Sequence, residues 1–326
     1  MQQQNRIKAK SYSILFLSIV LLHIFVDIFL SIINTGFEIP IILQFIISEM
    51  TIIVPSLLWL LCLNVPIKET LGFKKIKVST VLMTILLAEI LSPLVSLVNL
   101  LSQFFTKNAV MDIAGEVLDE NFFVMAFIIG IFGPFCEEFV FRGIIARGLG
   151  RFASVIGASI VSGLFFGLLH MNLNQMCYAF LLGVIFSIIN YASGSIYTSV
   201  VMHIVYNLQN VIMLFALKKF YLNIGLDAIA EANESLTGDM MYYMVGVYLI
   251  LAVIFTLVSL PVFAFIARNE GNADAYLKLT LKPETEDIDN KANKKSWFLN
   301  PYSVIACFVC VFVIFALDIV LKFFGM

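Results

Sequence analysis

Nine stretches of mostly apolar residues divide the chain, at roughly 12–34, 41–63, 78–104, 121–146, 153–170, 174–192, 196–217, 240–266 and 302–324. Runs of about 20 such residues are what a hydrocarbon layer about 30 Å thick requires. The pattern predicts an all-α fold, a polytopic transmembrane helix bundle of about eight or nine helices. Short turns join most of them. The exceptions are 105–120 and 218–239, both acidic, and a highly charged stretch, 267–300, with six basic and six acidic residues. That stretch reads as a solvated loop before a final helix. The first run follows Arg6, Lys8 and Lys10, contains His23 and Asp27 and lacks an A-x-A site, so it reads as a retained helix.

The distribution of Lys and Arg orients the bundle. An N-terminus inside puts Lys68, Lys74, Lys75, Lys77, Arg147, Arg151 and the basic residues of 267–300 in the cytoplasm, and leaves Lys107, Lys218, Lys219 and Lys322 outside. The positive-inside rule therefore predicts a multi-pass protein of the cell membrane with a cytoplasmic N-terminus. Composition agrees: 61% of the 326 residues are hydrophobic and 13% charged, against about 25% charged in soluble domains. A net charge of −2 argues against a nucleic-acid partner and leaves the lipid bilayer as the environment. The five cysteines lie in apolar runs and read as buried hydrophobes, the Cys307–Cys310 pair included. Ser159, Gly163 and Gly167, four apart, allow the fifth helix to approach a neighbour closely. The chain shows no internal repeat, which counts against a transporter of paired halves.

Ionisable residues at membrane depth are costly and are functional candidates by default. The densest group is Glu137, Glu138 and Arg142, late in the fourth run. Glu138 and Arg142 stand one helical turn apart and can pair, whereas Glu137 is rotated by about 100° toward a different neighbour. A desolvated Glu137 facing a cavity suits a general base acting on water. The alternative is a structural charge cluster near the cytoplasmic end. Phe166 and His170 are i, i+4 at the end of the fifth run; Ser199, His203, Asn207 and Asn210 form a polar stripe on the seventh. Such a stripe must face protein or water. One carboxylate, two imidazoles and an amide suffice for water activation and oxyanion stabilisation. His23, Asp27, Glu49, Glu89 and Asp318 are further acids and a histidine in other runs, expected to pair or be hydrated between helices, with Glu89 first in line as a cavity contributor. Depth raises a difficulty. A turn at Ala153–Ser154 would put Glu137 and His170 at equal depth, roughly 20–24 Å from it, but His203 is roughly 12 Å past the turn at Ala192–Ser195. Straight spans do not bring all three together, so some part of 140–200 must depart from simple hairpins.

The ordered trio Glu-Glu-x-x-x-Arg (137–142), Phe-x-x-x-His (166–170) and His-x-x-x-Asn (203–207), each in a separate apolar run, resembles the CPBP intramembrane proteases. These include CaaX prenyl-protein endoproteases and bacteriocin-processing and immunity proteins. The resemblance covers about 121–217, under a third of the chain, as a catalytic helical core. It leaves 1–120 as variable N-terminal helices and 218–326 as C-terminal helices with the charged loop. It implies a membrane-embedded endopeptidase acting on a membrane-associated protein or peptide: a CaaX protein, a bacteriocin precursor or a signal-peptide precursor. On that resemblance Glu137 and His170 activate water, His203 and Asn207 stabilise the oxyanion, and Glu138 and Arg142 support the site. It implies a metal-free, glutamate-dependent reaction, with zinc on Glu137, His170 and His203 as the alternative. The His-Glu-x-x-His helix of ordinary zinc proteases is absent from the sequence. The rival functions are a non-catalytic immunity or scaffold protein of the same fold and a proton-coupled transporter.

Overall fold

The computed structural model describes residues 8–106, 108, 113–222, 238–274 and 300–324, and these fold into helices without strands. The helices are α1 (Ala9–Asn34), α2 (Ile41–Cys62), α3 (Ile67–Leu71), α4 (Val78–Ser102), α5 (Ala114–Asp119), α6 (Phe122–Leu149), α7 (Val155–Leu169), α8 (Leu173–Ser193), α9 (Ile196–Leu222), α10 (Gly238–Asn269) and α11 (Pro301–Phe324). Seven are long and apolar enough to cross a membrane: α1, α2, α4, α6, α8, α9 and α10. The seventh and eleventh are shorter apolar helices, so the nine expected spans are all helical. The protein is an all-α polytopic bundle. Most of the charged segment expected at 267–300, from 275 to 299, lies outside the described residues, as does all of 223–237.

Small residues set the tightest helix contact. A methyl group added to Gly163 would lie 2.9 Å from the Phe180 carbonyl oxygen, and one on Gly167 would lie 2.7 Å from that of Met176. Both glycines belong to the stripe read from the sequence, and they let α7 pack backbone-close on α8. Helix α6 sits between this pair and α2, α3 and α9. Its second half, Phe139–Ala146, is buried at every residue.

Helix α6 is not regular. Asn121 caps it, accepting from the N–H groups of Phe123 (2.9 Å) and Val124 (3.4 Å). Two stretches, Ile128–Phe132 and Phe139–Ala146, are π-helical, and the paired glutamates stand in the α-helical turn between them, Gly133–Glu138. Pro134 gives the first bulge a cause. Proline has no N–H and clashes with the preceding turn of a regular helix, so the ladder is disturbed immediately ahead of it.

Candidate active site

The depth difficulty disappears because the second turn is set higher than the first. Ile196 N–H donates to the Gly72 carbonyl (3.2 Å), Ser195 Oγ to that of Lys74 (2.5 Å), and Tyr191 Oη to that of Ala146 (2.7 Å). A methyl group on Gly143 would lie 3.2 Å from Ile196 Cδ1. The α8–α9 turn is therefore level with Gly143–Ala146, not with the turn at Gly150–Ala153. Helix α3 and Gly72, whose φ of 71° needs a glycine, fill the space below it. Counting six residues from Gly143 to Glu137 and seven from Ile196 to His203 brings the two side chains to one level. Straight spans reaching one surface were the mistaken assumption.

At that level His203 joins the two glutamates. Its Nδ1 is 3.0 Å from Glu138 Oε1 and its Nε2 is 3.4 Å from Glu137 Oε2. For both contacts to be hydrogen bonds, the ring must carry a proton on each nitrogen or one carboxyl must carry one. Glu138 Oε1 also meets Arg142 Nη1 at 2.9 Å, and both of those side chains are fully buried. Glu137 keeps 15% of its side chain exposed. That difference matches the 100° rotation between neighbours: Glu138 faces the ion pair and Glu137 the opening.

Arg142 is held mainly by aromatic faces. The ion contact with Glu138 lacks hydrogen-bond alignment, and the guanidinium nitrogens find no hydrogen-bond acceptor among the described residues. Instead its carbon lies 4.2 Å from the centroid of the Phe166 ring and 5.1 Å from that of Phe186. A desolvated guanidinium on an aromatic face gains about 2 kcal/mol from the ring quadrupole. Phe166 thus has a use of its own in the Phe-x-x-x-His pattern. Gly183 makes the room, since a methyl group there would lie 3.1 Å from Arg142 Nη2 and 2.7 Å from Gly163 Cα.

His170 is one turn off the expected level. Ser162 Oγ donates to the Phe141 carbonyl (2.8 Å), so counting four residues along each helix puts Phe166, not His170, opposite Glu137. The Phe166 ring stands edge-on to both imidazoles, 4.9 Å from His170 and 5.7 Å from His203. His170 Nδ1 faces the Phe166 carbonyl at 2.9 Å. Behind it the chain reverses through Met171, at a φ of 48°, into α8. The shift follows from the turn, which centres on Gly150–Ala153 between the end of α6 at Leu149 and the start of α7 at Val155, about two residues earlier than Ala153–Ser154.

Asn207 is anchored by the first bulge. In that π turn the Gly133 N–H bonds to the Ile128 carbonyl, taking the donor that Ile129 would have in an α-helix. The next donor along, residue 134, is proline and has none. The Ile129 carbonyl is left open, and Asn207 Nδ2 fills it at 3.1 Å. One amide hydrogen of Asn207 remains, and His203 stands one turn away on the same helix. Pro134 carried this signal in the sequence, but only the bulge shows what it frees.

The other polar residues separate. Glu89 reaches Gln209 Nε2 at 3.5 Å on an exposed face and makes none of the site's contacts, so it is not the cavity contributor expected. Its neighbour Ala88 is turned inward, where its carbonyl takes the Tyr206 hydroxyl at 2.8 Å. Asn210, the end of the polar stripe, is exposed. His23 Nε2 pairs with Asp27 at 3.3 Å and its Nδ1 meets Thr51 Oγ1 at 2.8 Å. The side chain of Asp318 lies outside the described residues. Among the described residues, no group of three or more His, Cys, Asp or Glu side chains is arranged to hold a metal ion. Of the set Glu137, His170 and His203, the structure brings Glu137 and His203 into contact, while His170 Nδ1 faces the Phe166 carbonyl.

Residues 119–209 match the family model described as type II CAAX prenyl endopeptidase, Rce1-like. That segment is similar to the CAAX-protease family. It holds all seven residues of the trio and falls close to the core expected at 121–217. No curated protein and no solved structure matches the chain.

Proposed function

We propose that this protein is a membrane-embedded endopeptidase that hydrolyses a peptide bond in a membrane-associated protein or peptide, with 121–217 as its catalytic core. The observation that carries the reading is the position of Glu137. It is partly open, bound to His203 at 3.4 Å, and backed by the buried Glu138–Arg142 pair within a segment similar to the CAAX-protease family. Glu137, with His170 one turn away, takes a proton from water, and the water oxygen attacks the substrate carbonyl. As Glu137 is protonated, His203 Nε2–H turns from it to the oxyanion, to which the free amide hydrogen of Asn207 also donates. Glu138 and Arg142 fix His203 and Glu137 from behind.

The substrate is a CaaX-type protein, a bacteriocin precursor or a signal-peptide precursor. The protein sits in the cell membrane with its N-terminus in the cytoplasm. The basic residues support this orientation, because Lys74, Lys77 and Arg147 gather at the same end of the bundle as the start of α1 and the end of α10.

Peptides from cells carrying wild-type protein, compared with those carrying equal amounts of Glu137→Ala, test the reading and identify substrates together. Products that vanish in the variant are expected; identical peptide profiles would sink it. The reaction is proposed without a metal. Purified protein that loses activity to a chelator and regains it with zinc would overturn that part alone.

A further inference from the structure

Helix α2 brings one more carboxyl group to the cleft. Glu49 Oε1 packs so closely on the backbone of α6 that a methyl group added to Gly133 would lie 3.1 Å from it. Gly133 and Glu137 are four residues apart, so Glu49 stands on the Glu137 face of α6, one turn further on, at the level of His170. The Glu49 and Glu137 carboxyls are within electrostatic reach of each other. The second oxygen of Glu49, Oε2, is buried and has no hydrogen-bond partner among the described residues.

The neighbouring donors are committed elsewhere: His170 gives its Nδ1–H to the Phe166 carbonyl, which leaves the neutral ring only an acceptor at Nε2. Thr51 Oγ1 donates to the Ser48 carbonyl (2.6 Å), so its one hydrogen is used and His23 Nδ1–H donates to it. His23 Nε2 faces Asp27, Arg142 is spent on Glu138 and the aromatic rings, and His203 bridges the two glutamates. Cys136 lies beside both Glu49 and Glu137 and offers only a weak donor. As an anion, Glu49 would therefore sit beside the Glu137 carboxylate with a buried oxygen that no donor satisfies. As the acid, it carries a proton that it can give up.

Peptide hydrolysis needs a proton in that place. Once water has given its proton to Glu137 and its oxygen has bonded to the carbonyl carbon, the C–N bond breaks and its electron pair goes to nitrogen. That nitrogen must gain a proton to leave as an amine. We propose that Glu49 supplies it, so that base and acid stand on different helices on either side of the scissile bond. The cycle balances: Glu137 ends with a proton, Glu49 without one, and transfer from the first to the second, directly or through a water, resets both. The net reaction is water plus amide giving acid plus amine.

The inference rests on the endopeptidase reading, and its test separates the two. A peptide cut in the Glu137 comparison is synthesised with its scissile amide and again with a thioester, whose thiolate leaves without protonation. Glu49→Gln, close to isosteric, is expected to slow amide turnover by on the order of 100-fold or more and the thioester by less than about tenfold. Glu49→Asp, which keeps an acid, is expected to recover part of the amide rate. Equal losses on both substrates, or no loss on either, would overturn the role of Glu49 while leaving the Glu137 reading intact. Absence of any Glu137-dependent cleavage would overturn both. Thermal unfolding of each variant in detergent keeps a folding defect from passing as a chemical one: a misfolded Glu49→Gln leaves the decision to Glu49→Asp, whose two substrates must then differ in the same sense.

Discussion

Helices α6 and α10 are both apolar segments of membrane length, 28 residues over Phe122–Leu149 and 30 over Met240–Asn269, yet they do opposite things. Of the most apolar stretch of α6, 56% is buried within the protein; for α10 the figure is 17%. The first carries two carboxyls and two guanidinium groups and runs through two π segments. The second has no charge in its span before Arg268 and turns large side chains such as Leu249, Ile250 and Leu257 outward. Lipid satisfies an apolar side chain but offers nothing to an unpaired carbonyl. A bulged helix is therefore tolerable only where protein groups repair it. Asn207 at Ile129, Ser162 at Phe141 and Tyr191 at Ala146 do that for α6. Irregularity, buried charge and function go together for this reason.

The contrast can be broken most severely at Glu137. Glu137→Ala is expected to reduce cleavage on the order of 10²- to 10⁴-fold without loss of protein, measured on the peptides identified in cells. Arg142→Ala comes next, because it strands a buried Glu138. A loss of about 3–5 kcal/mol is expected, read as lower yield and a lower unfolding temperature in detergent. Normal stability with full activity would refute the supporting role.

Glycines give a paired test of opposite sign. Gly183→Ala presses on Gly163 and Arg142 and is expected to cost about 1–3 kcal/mol. Gly246→Ala on α10 meets nothing within 4 Å and is expected to be neutral or to stabilise by up to about 1 kcal/mol, through helix propensity. Unfolding midpoints for the two variants that move together would erase the distinction between the helices.

The smallest effect belongs to the end of α10, outside the membrane-spanning segments. Partial burial pushes the Glu270 carboxyl up. Hydrogen bonds from Thr80 Oγ1 (2.5 Å) and the Lys77 N–H (3.0 Å), with the charges of Lys74 and Lys77, outweigh it and hold the group below the usual glutamate range. A lowered folded value means the stabilisation is present at neutral pH and is lost as pH falls from about 4.3 through the folded value. Glu270→Gln is expected to lower the unfolding temperature slightly at pH 7 and to match wild type near pH 3. A gap that persists in acid would exclude titration of Glu270 as its source.

Much of this was legible in the chain. The apolar runs determined an all-α membrane bundle, because a bilayer accepts few other solutions, and the cost of charge at depth singled out Glu137, Glu138, Arg142, His170, His203 and Asn207. The i, i+4 spacing of Glu138 and Arg142 and the glycines of α7 also kept their meaning, since both depend on helix geometry alone. Register was another matter. Straight spans turning at one surface left His203 at the wrong depth, put His170 level with Glu137, and hid the packing of Pro134, Phe166, Gly183 and Glu49. Only the tertiary structure decided these. The height of the α8–α9 turn depends on what fills the space beneath it, and a carbonyl opened by a bulge is satisfied by a residue 78 positions away. Local sequence sets how a helix prefers to wind; which face meets which neighbour is settled by packing between segments far apart in the chain.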